Sequence, residues 1–107
     1  HDADLEKVMR CHKESGCIAT MAISAVEHNE VSKYGVVVSS PLHRVLEFQE
    51  KPPVNEAKSN FINTGIYVFN KRIFDFIPKG EKYDFAKDVF PALLKAGEKI
   101  QNLLLLV

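Results

Sequence analysis

Phe48-Gln49-Glu50-Lys51-Pro52-Pro53 decides the reading of this chain: an apolar, strand-like run ends in a carboxylate and an ammonium, then stops at two prolines. Proline cannot donate to a sheet ladder, so the strand ends there and the chain just past it is stiffened. Lys33-Tyr34-Gly35-Val36 before it and Ile62-Asn63-Thr64-Gly65-Ile66-Tyr67 after it each set a glycine in a β-rich run. A carboxylate at a strand end, here Glu50, accepts two hydrogen bonds from neighbouring hydroxyls, as a sugar ring requires. Lys51 beside it offers a compact positive charge to a phosphate. Taken alone, the pair reads more simply as an exposed ion pair worth little to stability. Gly35 permits close approach of a ligand or a positive φ, and equally marks a bulge or tight entry turn. Asn63 offers a donor and an acceptor to a hydroxyl, and equally serves as a turn residue.

Outward from these motifs, the pattern alternates helices and strands. Leu5, Val8, Met9 and His12 recur at helical spacing, with Asp2 or Asp4 as N-cap and Gly16 as the stop. Cys17 to Ala25 reads as a buried strand and Glu27 to Lys33 as a polar loop. Gly35 to Ser39 and Arg44 to Glu50 flank Ser40-Pro41-Leu42-His43 and predict a short antiparallel hairpin. Pro52 to Asn60 is loop, and Phe61 to Phe69, aromatic and β-branched, is the strongest strand. Arg72 to Ile77 predicts a short helix. A further helix starts at Asp84 and is interrupted by Pro91, after which a second turn carries Leu93 and Leu94 inward and ends at Gly97. Ile100 to Val107 is the last strand. Helices among hairpin and parallel-capable strands imply an α/β sandwich with a mixed sheet.

The chain has 107 residues, enough for one modest core, with 46% hydrophobic and 26% charged residues. Net charge is zero, so no overall positive field draws the chain to nucleic acid or to a membrane. The apolar tail from Ile100 is far shorter than the roughly 20 residues that span a bilayer. Cys11 and Cys17 are the only cysteines and are read as reduced thiols of a cytoplasmic protein. The chain opens on a helix and closes on an apolar run without a stop signal, which is expected of a piece of a larger domain. Asp84 and Asp88 are one helical turn apart; Asp84 reads as a cap and Asp88 as a solvated first-turn residue. His12, His28 and His43 are scattered and are given no metal or catalytic role. No Walker loop, G-x-S-x-G or G-x-G-x-x-G is present.

The order of the motifs resembles the sugar-1-phosphate nucleotidylyltransferases, the enzymes that make nucleotide sugars. The similarity rests on Ser32-Lys33-Tyr34-Gly35-Val36-Val37, on Arg44 through Pro52, on Ser59 through Phe69, and on Tyr83-Asp84-Phe85-Ala86-Lys87-Asp88-Val89-Phe90-Pro91. The helix from Asp4 and the strand Ala19-Thr20-Met21 also resemble family segments. Among branches, the wording looks most like mannose-1-phosphate guanylyltransferases, with glucose-1-phosphate enzymes next. The resemblance implies a fragment of a Rossmann-like nucleotidyltransferase α/β/α sandwich with mixed sheet. Residues 1–107 would form the sugar-phosphate-binding half, the C-terminal part of the catalytic domain, without the N-terminal nucleotide-binding half.

Carried over by position, Glu50 would hold sugar hydroxyls and Lys51 the sugar phosphate, while Gly35 and Asn63 would line the sugar pocket. The partners implied are a sugar 1-phosphate and a nucleoside triphosphate, GTP in the guanylyl branch, with no nucleic acid and no membrane. Mg²⁺ is implied for the full-length enzyme. Its ligands are expected outside this chain, because the family's glycine-rich nucleotide loop and both metal-binding aspartates have no counterpart here. The chain alone is therefore expected to be inactive and prone to self-association. His43 stands where the family commonly has a turn glycine, a change expected to affect only the hairpin tip. The competing reading is a non-catalytic regulatory or assembly module built on the same fold.

Overall fold

A computed structural model describes residues 2–105, without the side chains of Asp2 and Ala86. Five strands form one mixed sheet: β1 (Ala19–Ala25), β2 (Gly35–Ser39), β3 (Val45–Glu50), β4 (Phe61–Phe69) and β5 (Ile100–Leu104), in the spatial order β3-β2-β4-β1-β5. β1 runs parallel to β5 and antiparallel to β4, and β2 is antiparallel to both β3 and β4. Thr20 and Ala22 alternate with Met21 and Ile23 along β1, so the strand presents apolar or small groups to both faces. The two helices cover opposite faces. α1 (Asp2–Ser15) lies over Thr20, and α2 (Phe90–Lys95) lies over the face of Met21, Tyr67 and Phe69. This is the α/β sandwich with mixed sheet expected from the sequence.

Phe90 centres the larger core. It is fully buried, edge-on to Tyr67 at 4.9 Å and stacked on Phe48 at 5.4 Å, with Ile18, Met21, Val37, Leu93 and Ile100 around it. Such offset aromatic contacts add about 0.5–1.5 kcal/mol each to the burial itself. On the opposite face, His12 replaces an apolar anchor. It is buried, with Nδ1 2.8 Å from Thr20 Oγ1 and Nε2 2.7 Å from Asn70 Oδ1. Asn70 Nδ2 donates to the Cys17 carbonyl, so its Oδ1 is the acceptor and His12 Nε2 the donor.

Several sequence expectations change. On α1 only Val8 and His12 of the predicted face are buried, while Leu5 and Met9 are exposed. Asp4 lies within the helix rather than capping it, and the Asp2 side chain lies outside the described residues. Gly16 does end the helix, with a φ of 70°. β1 begins at Ala19, two residues later than predicted, and the polar stretch before β2 is a 3₁₀ helix over His28–Lys33. The Arg72 helix is a 3₁₀ turn over Lys71–Phe76. Pro91 does not interrupt its helix. A π-helical turn, Phe85–Val89, passes directly into α2, and Pro91 occupies the first turn, where its missing N–H costs nothing. The end of the predicted last strand, Leu106 and Val107, lies outside the described residues.

Candidate functional site

The hairpin and β4 bring three of the predicted residues to one end of the sheet. Gly35, the first residue of β2, pairs directly with Glu50, the last of β3. Val36 pairs with Ile62 on the other side, which sets Asn63 beside Gly35. A Cβ added at Gly35 would lie 3.9 Å from Asn63 Cβ and 4.0 Å from Glu50 Oε2. Glycine thus leaves open floor between a carboxylate and a carboxamide. The space above it is a cavity of about 230 Å³, whose wall also includes Phe48, Lys87 and Pro91. That is below the roughly 300–1,000 Å³ of a drug-sized cleft, which suits a monosaccharide better than a whole nucleotide sugar.

Asn63 has two duties. Between Met21↔Tyr67 and Ile23↔Asn63, β1 advances two residues and β4 four, so β4 bulges at Thr64-Gly65-Ile66. Gly65 takes a φ of 85° there, which glycine alone adopts without steric cost. Its N–H donates to Asn63 Oδ1 at 2.7 Å, and Thr64 Oγ1 donates to the Ala22 carbonyl at 2.8 Å. The turn role and the pocket role of Asn63 coexist. Burial raises the Tyr67 hydroxyl above its ordinary pKa, with an opposing hydrogen bond from Asn63 and a reinforcing charge on Asp84. Tyr67 is therefore neutral at pH 7 and ties the bulge to the aromatic core.

Lys51 stands apart. It follows Glu50 but is exposed and is not in the cavity wall; among the described residues it forms no ion pair with Glu50. Its φ is 43°, a left-handed conformation disfavoured for a side chain bearing Cβ, and it immediately precedes Pro52. Its own N–H donates to the Tyr34 carbonyl at 3.0 Å, and the loop that follows is tied to the hairpin. Gln49 accepts from the Lys58 N–H at 2.8 Å and donates to the Glu56 carbonyl at 2.9 Å, and Ser59 Oγ donates to the Val37 carbonyl at 2.6 Å. Strain fixed by its surroundings is a recurrent property of ligand-contacting turns.

The lysine among the residues lining the cavity is Lys87, which the sequence reading overlooked. Asp84 Oδ1 accepts the Lys87 N–H at 3.1 Å and Asp88 Oδ2 accepts the Asp84 N–H at 2.8 Å, a reciprocal cap one residue longer than the usual box. Asp84 caps as expected, and Asp88, exposed in the first turn as expected, is a capping partner as well. The available signal was the spacing: Lys87 precedes the buried Phe90 by three residues, and Glu50 follows Phe48 by two on the same strand face.

Among the described residues, no three His, Cys, Asp or Glu side chains gather as a metal site, so the residues present do not fit a bound Mg²⁺. No helix among them is long and apolar enough to cross a membrane. His43, with a φ of 63°, holds the glycine-like turn conformation, and its carbonyl accepts the Asn102 N–H at 2.9 Å. The hairpin tip is therefore tied to β5.

A model of the nucleotidyl transferase family matches residues 1–105. The chain belongs to this family. A UTP–glucose-1-phosphate uridylyltransferase of Synechocystis is 47% identical over 96 residues, covering 90% of this chain and 25% of that protein. Glucose-1-phosphate adenylyltransferases of Clostridium botulinum and Desulfitobacterium hafniense are 35% and 32% identical, over 88% and 97% of this chain and 25% and 27% of theirs. The chain thus spans about a quarter of the length of these curated relatives. The fold matches an apo UDP-glucose pyrophosphorylase (TM-score 0.77, 23% identity, 97% of this chain and 40% of that one). It also matches the UDP-glucose pyrophosphorylase of Acinetobacter baumanii (TM-score 0.78, 24% identity, 95% and 37%). These relatives are named for glucose rather than mannose, against the branch suggested by the motif wording. Placement in the C-terminal part of the catalytic domain finds no support in these matches and is set aside.

Proposed function

We propose that the protein carrying this nucleotidyl transferase segment makes a nucleotide sugar, and that this segment seats the sugar 1-phosphate. In that reaction a phosphate oxygen of the sugar 1-phosphate attacks the α-phosphorus of a nucleoside triphosphate, the bond to the β-phosphate oxygen breaks, and pyrophosphate leaves. The observation that carries the reading is the convergence of Gly35, Glu50 and Asn63, from three strands, on one monosaccharide-sized cavity. Glu50 accepts hydrogen bonds from sugar hydroxyls, Asn63 supplies a carboxamide, and Gly35 leaves room for the ring, with Phe48 and Pro91 as apolar wall. Lys51 follows Glu50 in the chain and lies outside the cavity wall.

Glucose 1-phosphate with UTP or ATP is the favoured substrate pair, because the similar curated proteins are named for those reactions. Mannose 1-phosphate with GTP is the competing pair. The reading includes Mg²⁺ bound by residues beyond this segment, a cytoplasmic setting that suits the unpaired Cys11 and Cys17, and self-association through exposed groups such as Leu42 and Leu46. Pyrophosphate release by the protein carrying this chain, assayed for each pair, tests the activity. Glu50→Gln should cut use of the preferred sugar phosphate about 10–100-fold, the equivalent of one charge-assisted hydrogen bond. No turnover with any pair would favour the non-catalytic module. Sedimentation of a strict monomer would remove self-association.

A further inference from the structure

We propose that Gln49 is a positioning residue of this site: its carboxamide sets the shape of the turn that presents Glu50 and Lys51. The inference rests on the proposed function and extends it to the loop behind the cavity. Gln49 Nε2 donates to the Glu56 carbonyl at 2.9 Å, and Gln49 Oε1 accepts the Lys58 N–H at 2.8 Å. Both partners are backbone groups, so only one orientation of the amide satisfies them. Gln49 borders the cavity, but both ends of its carboxamide are engaged by the loop, which leaves it to hold rather than to bind.

The loop held in this way leaves from the residue whose backbone most needs holding. Lys51 has a φ of 43° directly before Pro52, where extended backbone is the norm. A residue in that region persists only where its surroundings over-determine it. One restraint lies on each side of it. The Lys51 N–H donates to the Tyr34 carbonyl at 3.0 Å. Beyond it, Pro52-Pro53 and the 3₁₀ turn Val54–Glu56 form a stiff arm that ends at the groups bonded to Gln49. Without Gln49 that arm is released, and Lys51 relaxes towards extended backbone. The change displaces the Lys51 ammonium and turns the end of β3, where Glu50 pairs with Gly35.

The test breaks the tether from either side in the protein carrying this chain, with KM and kcat measured for glucose 1-phosphate and for the nucleotide. Gln49→Met removes the carboxamide at nearly constant shape, and Lys58→Pro removes the N–H that it accepts. Lys58→Ala is the control, since it keeps that N–H and loses only the ammonium that bonds Glu47 at 2.9 Å and 3.1 Å. Gln49→Met and Lys58→Pro should each raise the KM for glucose 1-phosphate about tenfold, with the nucleotide KM within about twofold. The double variant should lose little more than either single one, because both break one tether. Lys58→Ala should match the parent. Circular-dichroism melts within a few degrees of the parent establish folding. If Lys58→Pro melts early, Gln49→Asn replaces it: the same carboxamide on a shorter stem cannot span both loop groups and should lose as much as Gln49→Met. An unchanged KM in Gln49→Met, with a raised KM in Glu50→Gln, overturns the role of Gln49 and leaves the proposed function standing. Equal losses for sugar phosphate and nucleotide, additive losses in the double variant, or a Lys58→Ala loss equal to that of Lys58→Pro also overturn it. No effect of Glu50→Gln would instead remove the proposed function, and this inference with it.

Discussion

Phe48 on β3 and Phe90 on α2 stack with ring centroids 5.4 Å apart and planes 24° from parallel, which joins the strand carrying Glu50 to the helix following Lys87. One contact therefore serves both the core and the cavity. Phe90→Ala should cost about 3–5 kcal/mol in urea unfolding, through lost burial and the void left behind. Phe90→Leu should cost less in stability yet still weaken sugar-phosphate binding, because Leu restores volume but not the ring contact.

Gly35→Ala separates the cavity from the fold. Its added Cβ meets only ordinary van der Waals distances, 3.9 Å and 4.0 Å, so stability should stay within about 0.5 kcal/mol of the parent. Gly35→Val fills the floor between Glu50 and Asn63 and should abolish binding of the sugar phosphate while the melting transition remains cooperative.

Lys51 and His43 are the non-glycine residues with positive φ among those described, at 43° and 63°. Relief of about 1–2 kcal/mol of left-handed strain, less about 0.5–1 for glycine's extra freedom when unfolded, predicts that His43→Gly stabilises by up to about 1.5 kcal/mol. Lys51→Gly should exceed Lys51→Ala in stability by a similar margin, since alanine removes the charge and keeps the strain. Equilibrium unfolding of the four chains checks both positions.

His12 bridges α1 to Thr20 and Asn70 in a buried setting. His12→Ala leaves both partners short of a hydrogen bond and opens a void. At about 1–3 kcal/mol for each of the two stranded groups, the loss should be about 2–6 kcal/mol in chemical denaturation.

Tyr67 predicts an alkaline limit. Its folded pKa is raised above the ordinary 10.0, chiefly by burial. Between those two values the unfolded chain has released the proton and the folded chain has not, so stability falls as pH rises. The contribution is complete below pH 10 and lost on passing through the folded pKa. Tyr67→Phe should flatten that decline relative to the parent in melts from pH 8 to 11.

The hairpin, the Phe61–Phe69 strand and the meeting of Gly35, Glu50 and Asn63 were all legible in the sequence, because strand pairing converts linear order into adjacency. A strand ended by Pro52 and paired with the run from Gly35 has little choice of register. Lys51 was legible as a residue but not as a position. It takes a left-handed φ and lies outside the cavity wall, and nothing in Glu50-Lys51-Pro52 announces that conformation. The exposed Leu5 and Met9 and the buried His12 show the same limit, since helical spacing names a face but not its width.

By itself the sequence determined the element order, the family and the three residues that share the sheet's end, since these follow from local propensity and pairing period. Only the tertiary structure decided that Lys87, and not Lys51, is among the residues lining the cavity. Lys87 is brought there by the packing of Phe90 on Phe48, a contact between residues 42 positions apart that no local pattern encodes.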